Sequence, residues 1–208
     1  MQIEFDQRRL HRPKPAQWQI HANHVNAPEP LRHWLTDRGS LTAKLIAHCD
    51  RFRVQRIAQQ TEVCWHDEYA AIGLPRPGKV HAREVLLRCD EQPTVYAHTV
   101  MPLTADASQW PLFRSLGNRS LGSTLFSDPL VLRGPMQFAR LHGNHPAMQR
   151  ARTLTGQQIG QACFDTALFA RRSLFWRHGG VMLVTELFLP NVFRLNRTHV
   201  VFDEAELR

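Results

Sequence analysis

Hydrophobic positions recur along this chain at two spacings, and the spacing changes near residue 50. Leu31, Trp34 and Leu35 share one face at helical spacing behind Pro28 and Pro30, which predicts a short helix opened by proline. Gly39 ends it, and Ser40 is placed to cap a second helix carrying Leu41, Leu45 and Cys49 on one side. The pair has the outline of a helix–turn–helix, but no basic recognition face follows it. An ordinary antiparallel helix pair is the better reading.

From residue 51 the alternation is that of strands. Phe52 and Val54 alternate with arginines over 51–60, and a Pro/Gly-rich connection follows at Gly73, Pro75, Pro77 and Gly78. His81–Cys89 and Thr94–Met101 read as a hairpin turning across Asp90–Pro93. Residues 107–126 return to a helical pattern around Trp110, Leu112, Phe113 and Leu116, then Leu121 and Leu125. Further strands are expected in 130–141 and 166–177, and a last one, Val181–Leu189, across a Gly179–Gly180 turn. Helix pair, strands, helices, strands is an α+β order, not alternating βαβ. It predicts a single antiparallel β-sheet with helices packed on it.

Composition narrows the class. The 208 residues are 43% hydrophobic and 21% charged, ordinary for a globular domain. No apolar run approaches the roughly 18 residues of a membrane span. Nor does the polar N-terminus, with Asp6, Arg8, Arg9 and Arg12, read as a secretory signal, so the expected location is cytoplasmic. Cys49, Cys64, Cys89 and Cys163 form no C-x-x-C pair, which argues against a disulfide framework or a zinc site. The pairs His21/His24 and His142/His145 lack acidic or cysteine neighbours in sequence, and no metal is expected. The formal charge of +8 calls for an anionic partner. Its basic residues are dispersed, without a dense or aromatic-interleaved run, which favours a small polyanionic metabolite over nucleic acid.

Three features carry candidate chemistry. Glu186 lies on a strand apolar on both faces, sharing a face with Val184 and Phe188, where a carboxylate is costly unless it is paired, hydrogen-bonded or protonated. Arg83 repeats the situation with opposite sign, on the face of Val85 and Leu87. Two arrangements satisfy both residues. Either they pair with each other, or Arg83 takes a ligand carboxylate with its planar fork while Glu186 contacts another group at the far end. The third feature is Leu116–Phe126. Gly117 and Gly122 have Walker-A spacing, but Ser123 stands where the lysine belongs, and Asn118 spoils a nucleophile elbow at Ser120. What remains is a glycine-flanked helix start whose N–H groups suit a carboxylate.

Taken in chain order, Ser40-Leu41-Thr42, Arg83-Glu-Val-Leu-Leu87, Leu116-Gly117 with Leu121-Gly122 and Leu125-Phe126, Arg171-Arg172-Ser173, and Leu183-Val-Thr-Glu-Leu-Phe-Leu-Pro190 resemble the corresponding blocks of chorismate pyruvate-lyases. The resemblance covers roughly residues 28–190, and its most specific block is Thr185–Pro190. It implies a chorismate lyase-like fold with helical flaps over a buried ligand site. The implied activity is that of a carbon–oxygen lyase converting chorismate to 4-hydroxybenzoate and pyruvate, the former a ubiquinone precursor, with no cofactor. The implied substrate-binding residues are Leu41, Arg83, Leu121 and Glu186, with Arg83 and Glu186 also catalytic. Arg83 meets the ring carboxylate beside the backbone of Leu41 and Leu121, and Glu186 lies toward the hydroxyl. The family has methionine where this chain has Leu41, a change that a backbone contact survives.

The stretch 140–156 looks longer than its counterpart in that family. The expected organisation is a flexible basic tail over 1–25, a catalytic domain over 26–190 and a C-terminal extension over 191–208, acting as a monomer. The alternative is a non-catalytic effector-binding domain of similar fold, resembling those of some bacterial transcription regulators. Such a domain normally accompanies a DNA-binding module of about 60–80 residues, more than the N-terminal tail supplies.

Overall fold

Alternation of side chains across a pleat governs the three longest strands, β1 (Phe52–Val63), β2 (Lys79–Cys89) and β3 (Gln92–Pro102). The computed structural model describes residues 16–197. Four more strands follow, β4 (Leu132–Arg133), β5 (Gln137–Leu141), β6 (Leu168–Arg177) and β7 (Gly180–Phe188). All pair antiparallel in the order β1-β2-β3-β7-β6-β4, with β5 also on β6. The doubly apolar β7 is interior to the sheet, between β3 and β6, as its composition requires. Among the described residues β1 pairs with β2 alone, and its Arg53 and Arg56 are exposed.

Two tight turns differ from the expected ones by a residue or two. The β2–β3 hairpin turns on Asp90 and Glu91, at φ 50° and 62°, so the strands run closer to the turn than Asp90–Pro93 implied. Two consecutive left-handed residues match the right-handed twist of the flanking strands. Asp90 stabilises its own turn by accepting from the Arg51 N–H at 2.9 Å. The β6–β7 turn likewise falls on His178 and Gly179, with Gly180 already paired to Arg177.

One face of the sheet is covered by α1 (Glu29–Leu35), α2 (Leu41–Ile46) and α3 (Leu121–Ser127). Trp34, Leu35, Leu41 and Leu45 pack there on Val54, Val85, Leu87 and Phe188. The Ser40 hydroxyl caps α2 as expected, accepting from the Ala43 N–H, but α2 stops before Cys49, whose thiol donates to the Leu45 carbonyl. The helix expected over 107–126 shrinks to α3. Upstream of it the chain runs in separate turns that bury Trp110, Phe113 and Leu116. The Asp106 carboxylate takes the N–H groups of Ser108 and Gln109, and Gly117 at φ +54° breaks helical continuity.

The other face carries α4 (Pro146–Ile159), which occupies the stretch read as lengthened and packs Ala147, Met148 and Ala151 on Leu86, Tyr96 and Leu187. His145 caps it, with Nδ1 accepting from the Ala147 N–H.

Both expected appendages reach into the fold. Gln19 bridges to Phe138, and Trp18 donates to Asp67 at 2.7 Å with the Arg172 guanidinium over its ring. At the other end Val192 and Leu195, on a 3₁₀ segment Pro190–Arg197, are buried with Trp34 and Phe188. Packing thus extends the core beyond the boundaries 26–190, because these side chains complete its apolar surface. Residues 1–15 and 198–208, the outer parts of the expected tail and extension, lie outside the described residues.

Candidate active site

Period two places Arg83, Val85 and Leu87 of β2, Ala97 and Thr99 of β3, Val184 and Glu186 of β7, and Arg171 and Ser173 of β6 on the face that α2 and α3 cover. They floor a cavity whose roof includes Leu41, Thr42, Leu121 and Gly122, so the four residues singled out from sequence converge on one pocket. The roof is tied across its middle. The Thr42 and Ser120 hydroxyls meet at 2.5 Å, and a Cβ on Gly122 would stand 3.0 Å from Thr42 Oγ1. Leu41 and Leu121 are the first residues of α2 and α3, and the capping hydroxyls of Ser40 and Ser120 take the N–H groups of Ala43 and Ser123, not theirs.

Arg83 and Glu186 do not pair with each other. Residues Ala97 and Thr99 of β3 lie between their strands, two strand spacings or about 10 Å across. Arg83 is 2% exposed, and its Nη2 donates to the carbonyls of Gly117 and Arg119 at 3.0 Å each. Its buried Nε finds no acceptor among the described residues, and an unpartnered buried donor is costly. Burial, with Arg56 adding to it, pushes the guanidinium down to about 10. Between the two charged groups, Ala97 offers the cavity only a methyl.

Glu186 is partnered by Arg171, whose Nε donates to Oε2 at 2.5 Å. Arg171 is 1% exposed and also donates from Nη1 to the carbonyls of Trp34 and Asp37 at 2.9 and 2.8 Å. Those contacts bind the end of α1 and the loop after it to the floor of the pocket. Arg133 completes the charged lining, with Nε donating to Ser173 Oγ and Nη1 to the Arg38 carbonyl. Its guanidinium lies 5.3 and 5.5 Å from the rings of Phe126 and Phe175. Burial, then the neighbouring Arg171, disfavour its charged form, against the pull of Glu186.

Sequence reasoning did not assign a role to Arg171 or Arg133. The first was within reach, since Phe169, Arg171, Ser173 and Phe175 alternate as Arg83 does with its neighbours. Arg133 stands in a two-residue strand after Asp128 and Pro129, with no period to read.

The opposite face carries a separate polar network. His98 stacks on Trp65 at 3.8 Å and places its ring nitrogens 2.8 Å from Glu68 and 3.0 Å from Glu62. Glu84 is held by Arg150 and by the Tyr96 hydroxyl. Glu62, Glu84 and His98 are the group of potential metal ligands among the described residues, and each is already engaged. Of the histidine pairs weighed from sequence, His145 bonds to Asp67 at 3.2 Å, and His21 packs edge-on against His24. Among the described residues no helix is long and apolar enough to cross a membrane.

A family model described as chorismate lyase matches residues 12–198. A Cupriavidus metallidurans protein named probable chorismate pyruvate-lyase is 45% identical over 178 residues, covering 85% of this chain and 81% of its own. One of the same name from Nitrosomonas eutropha is 41% identical over 182 residues, covering 87% and 97%. Among solved structures, the effector domain of PhnF from Mycobacterium smegmatis is similar with a TM-score of 0.49 at 16% identity, covering 74% of this chain and 90% of that one. With a family model spanning all the described residues and relatives this similar over most of their length, the chain belongs to the chorismate lyase family.

Proposed function

We propose that this protein is a chorismate pyruvate-lyase, converting chorismate to 4-hydroxybenzoate and pyruvate and so supplying a ubiquinone precursor. The observation that carries the reading is the buried Arg83, with a donor lacking any partner among the described residues, across a cavity from Glu186. Arg83 and the backbone N–H groups of Leu41 and Leu121 receive the ring carboxylate. Glu186 meets the C4 hydroxyl, and Ala97 leaves room for the ring between them.

In the reaction the C3–O ether bond breaks and its electron pair leaves with the oxygen of the three-carbon arm. The C4 hydrogen is lost as the ring becomes aromatic, and a proton on the methylene carbon of the arm completes pyruvate. Aromatisation drives the step, so the residues have mainly to orient the substrate and complement its charge. Glu186 fixes the hydroxyl at the reacting carbon and is placed to take part in the proton's movement. No step calls for a metal or another cofactor. Action as a cytoplasmic monomer is part of the same proposal.

The test is ultraviolet detection of 4-hydroxybenzoate formed from chorismate by the purified protein, with and without EDTA. Turnover unaffected by the chelator supports the reading. Tight 4-hydroxybenzoate binding without turnover would instead make the protein an effector-binding module.

A further inference from the structure

Four charged side chains line the cavity: Arg83, Arg133, Arg171 and Glu186. Arg171 and Glu186 neutralise each other at 2.5 Å. Two guanidiniums, Arg83 and Arg133, are left without a carboxylate among the described residues. A pocket with this excess is matched by a dianion whose negative groups lie apart, and chorismate carries two carboxylates, one on the ring and one on the enolpyruvyl arm. The product 4-hydroxybenzoate retains only the first.

The strand order places these groups in a row. Arg83 on β2 comes first, then Glu186 on β7, Arg171 on β6 and Arg133 on β4. In chorismate the hydroxyl is opposite the ring carboxylate, and the enolpyruvyl ether stems from the carbon next to it. With the ring carboxylate at Arg83 and the hydroxyl at Glu186, the arm extends past Glu186 toward the β4 edge.

Resting on the function proposed above, we infer that Arg133 is the second anion-binding residue and receives the carboxylate of the enolpyruvyl arm. Its side chain is prepared for this. The faces of its guanidinium are packed near Phe126 and Phe175, and its Nε and Nη1 are fixed by Ser173 and the Arg38 carbonyl. Nη2 has no hydrogen-bond partner among the described residues. Arg133 thus recognises the part of the substrate that leaves, and Arg83 the part that remains. The cavity thereby holds the dianion by an anchor that the aromatic product lacks.

The two arginines are separated by measuring kcat/KM for chorismate and Kd for 4-hydroxybenzoate on the same preparations. Arg133→Gln should lower kcat/KM by about 30-fold or more, the loss expected when one partner of a desolvated charge pair is removed. Its Kd for 4-hydroxybenzoate should stay within about threefold of the parent, which also shows that the pocket has folded. Arg133→Lys, keeping the charge without the fork, should recover part of kcat/KM. Arg83→Ala should weaken both quantities. Unchanged kcat/KM in Arg133→Gln, or product affinity falling in step with it, would overturn the assignment. Failure of the underlying function is seen separately, as a parent protein that forms no 4-hydroxybenzoate from chorismate.

Discussion

Glu186 illustrates how much depends on which neighbour a buried charge finds. Sequence alone allowed a pair with Arg83 or a ligand contact; the fold supplies Arg171 instead, and the buried Nε of Arg83 has no acceptor among the described residues. Glu186→Gln keeps the shape of the side chain, and Arg171 keeps its backbone acceptors at Trp34 and Asp37. Arg171 loses its counter-ion, however, so the variant should be destabilised by up to about 3–5 kcal/mol, and kcat measured on folded protein should fall by about 10²–10⁴-fold, the range for lost acid–base help. A stable variant with near-parental kcat would remove Glu186 from the chemistry. His98, behind the sheet, makes a different prediction. Burial opposes its charge, but Glu68 and Glu62 overcome this and raise it to about 9. That exceeds the unfolded value of about 6.5, so the charged ring contributes stability that is complete below about pH 6.5 and lost as pH rises through about 9. Denaturation midpoints taken across this window should fall for the parent and fall less for His98→Gln. Parallel curves would place the titration elsewhere.

Among the elements, the two short helices over the cavity act as one roof because Gly122 brings them close. Its hydrogen points where a methyl would stand 3.0 Å from Thr42 Oγ1 and 3.5 Å from the hydroxyls of Ser40 and Ser120. Gly122→Ala should hold α2 and α3 apart and quicken release of 4-hydroxybenzoate by about tenfold, on the order of the 1–3 kcal/mol that overpacking costs. Stopped-flow displacement measures this directly, and an unaltered release rate would mean that the roof opens elsewhere. The same elements show the reach of local pattern. Proline at the start of α1, serine capping α2, and alternation in β2 and β7 were all legible, since each signal lies within a few residues. The helix expected over 107–126 was not formed as read, because apolar spacing there serves turns that plug the end of the sheet. Helix α4 escaped notice for the converse reason. Half of its residues are polar, and Ala147, Met148 and Ala151 form a narrow apolar face.

For the whole molecule, the boundary of the fold is the point at which sequence misled. The polar, mixed pattern after Pro190 reads as an extension, yet Val192 is 0% and Leu195 7% exposed beneath α1 and the sheet. Ending the chain after Leu189 should therefore destabilise it by roughly 3–6 kcal/mol, at about 1.5–3 kcal/mol per buried aliphatic side chain. Equilibrium urea denaturation reads this as a lowered midpoint, and a midpoint equal to the parent's would return the segment to the status of an appendage.

Sequence pattern by itself determined the α+β class, the interior position of β7, the helix pair, and Arg83 and Glu186 as charges on apolar strand faces; the family resemblance added Leu41 and Leu121, which line the same cavity. Pattern did so because periodicity and capping are local, and because a charge on an apolar strand face stands out without reference to anything distant. Tertiary structure alone decided which charges cancel. The pairing of Arg171 with Glu186, the unpartnered Nε of Arg83 among the described residues and the arrival of Arg133 from β4 depend on strand order. Antiparallel strands brought together by long connections set that order, and no spacing along the chain encodes it.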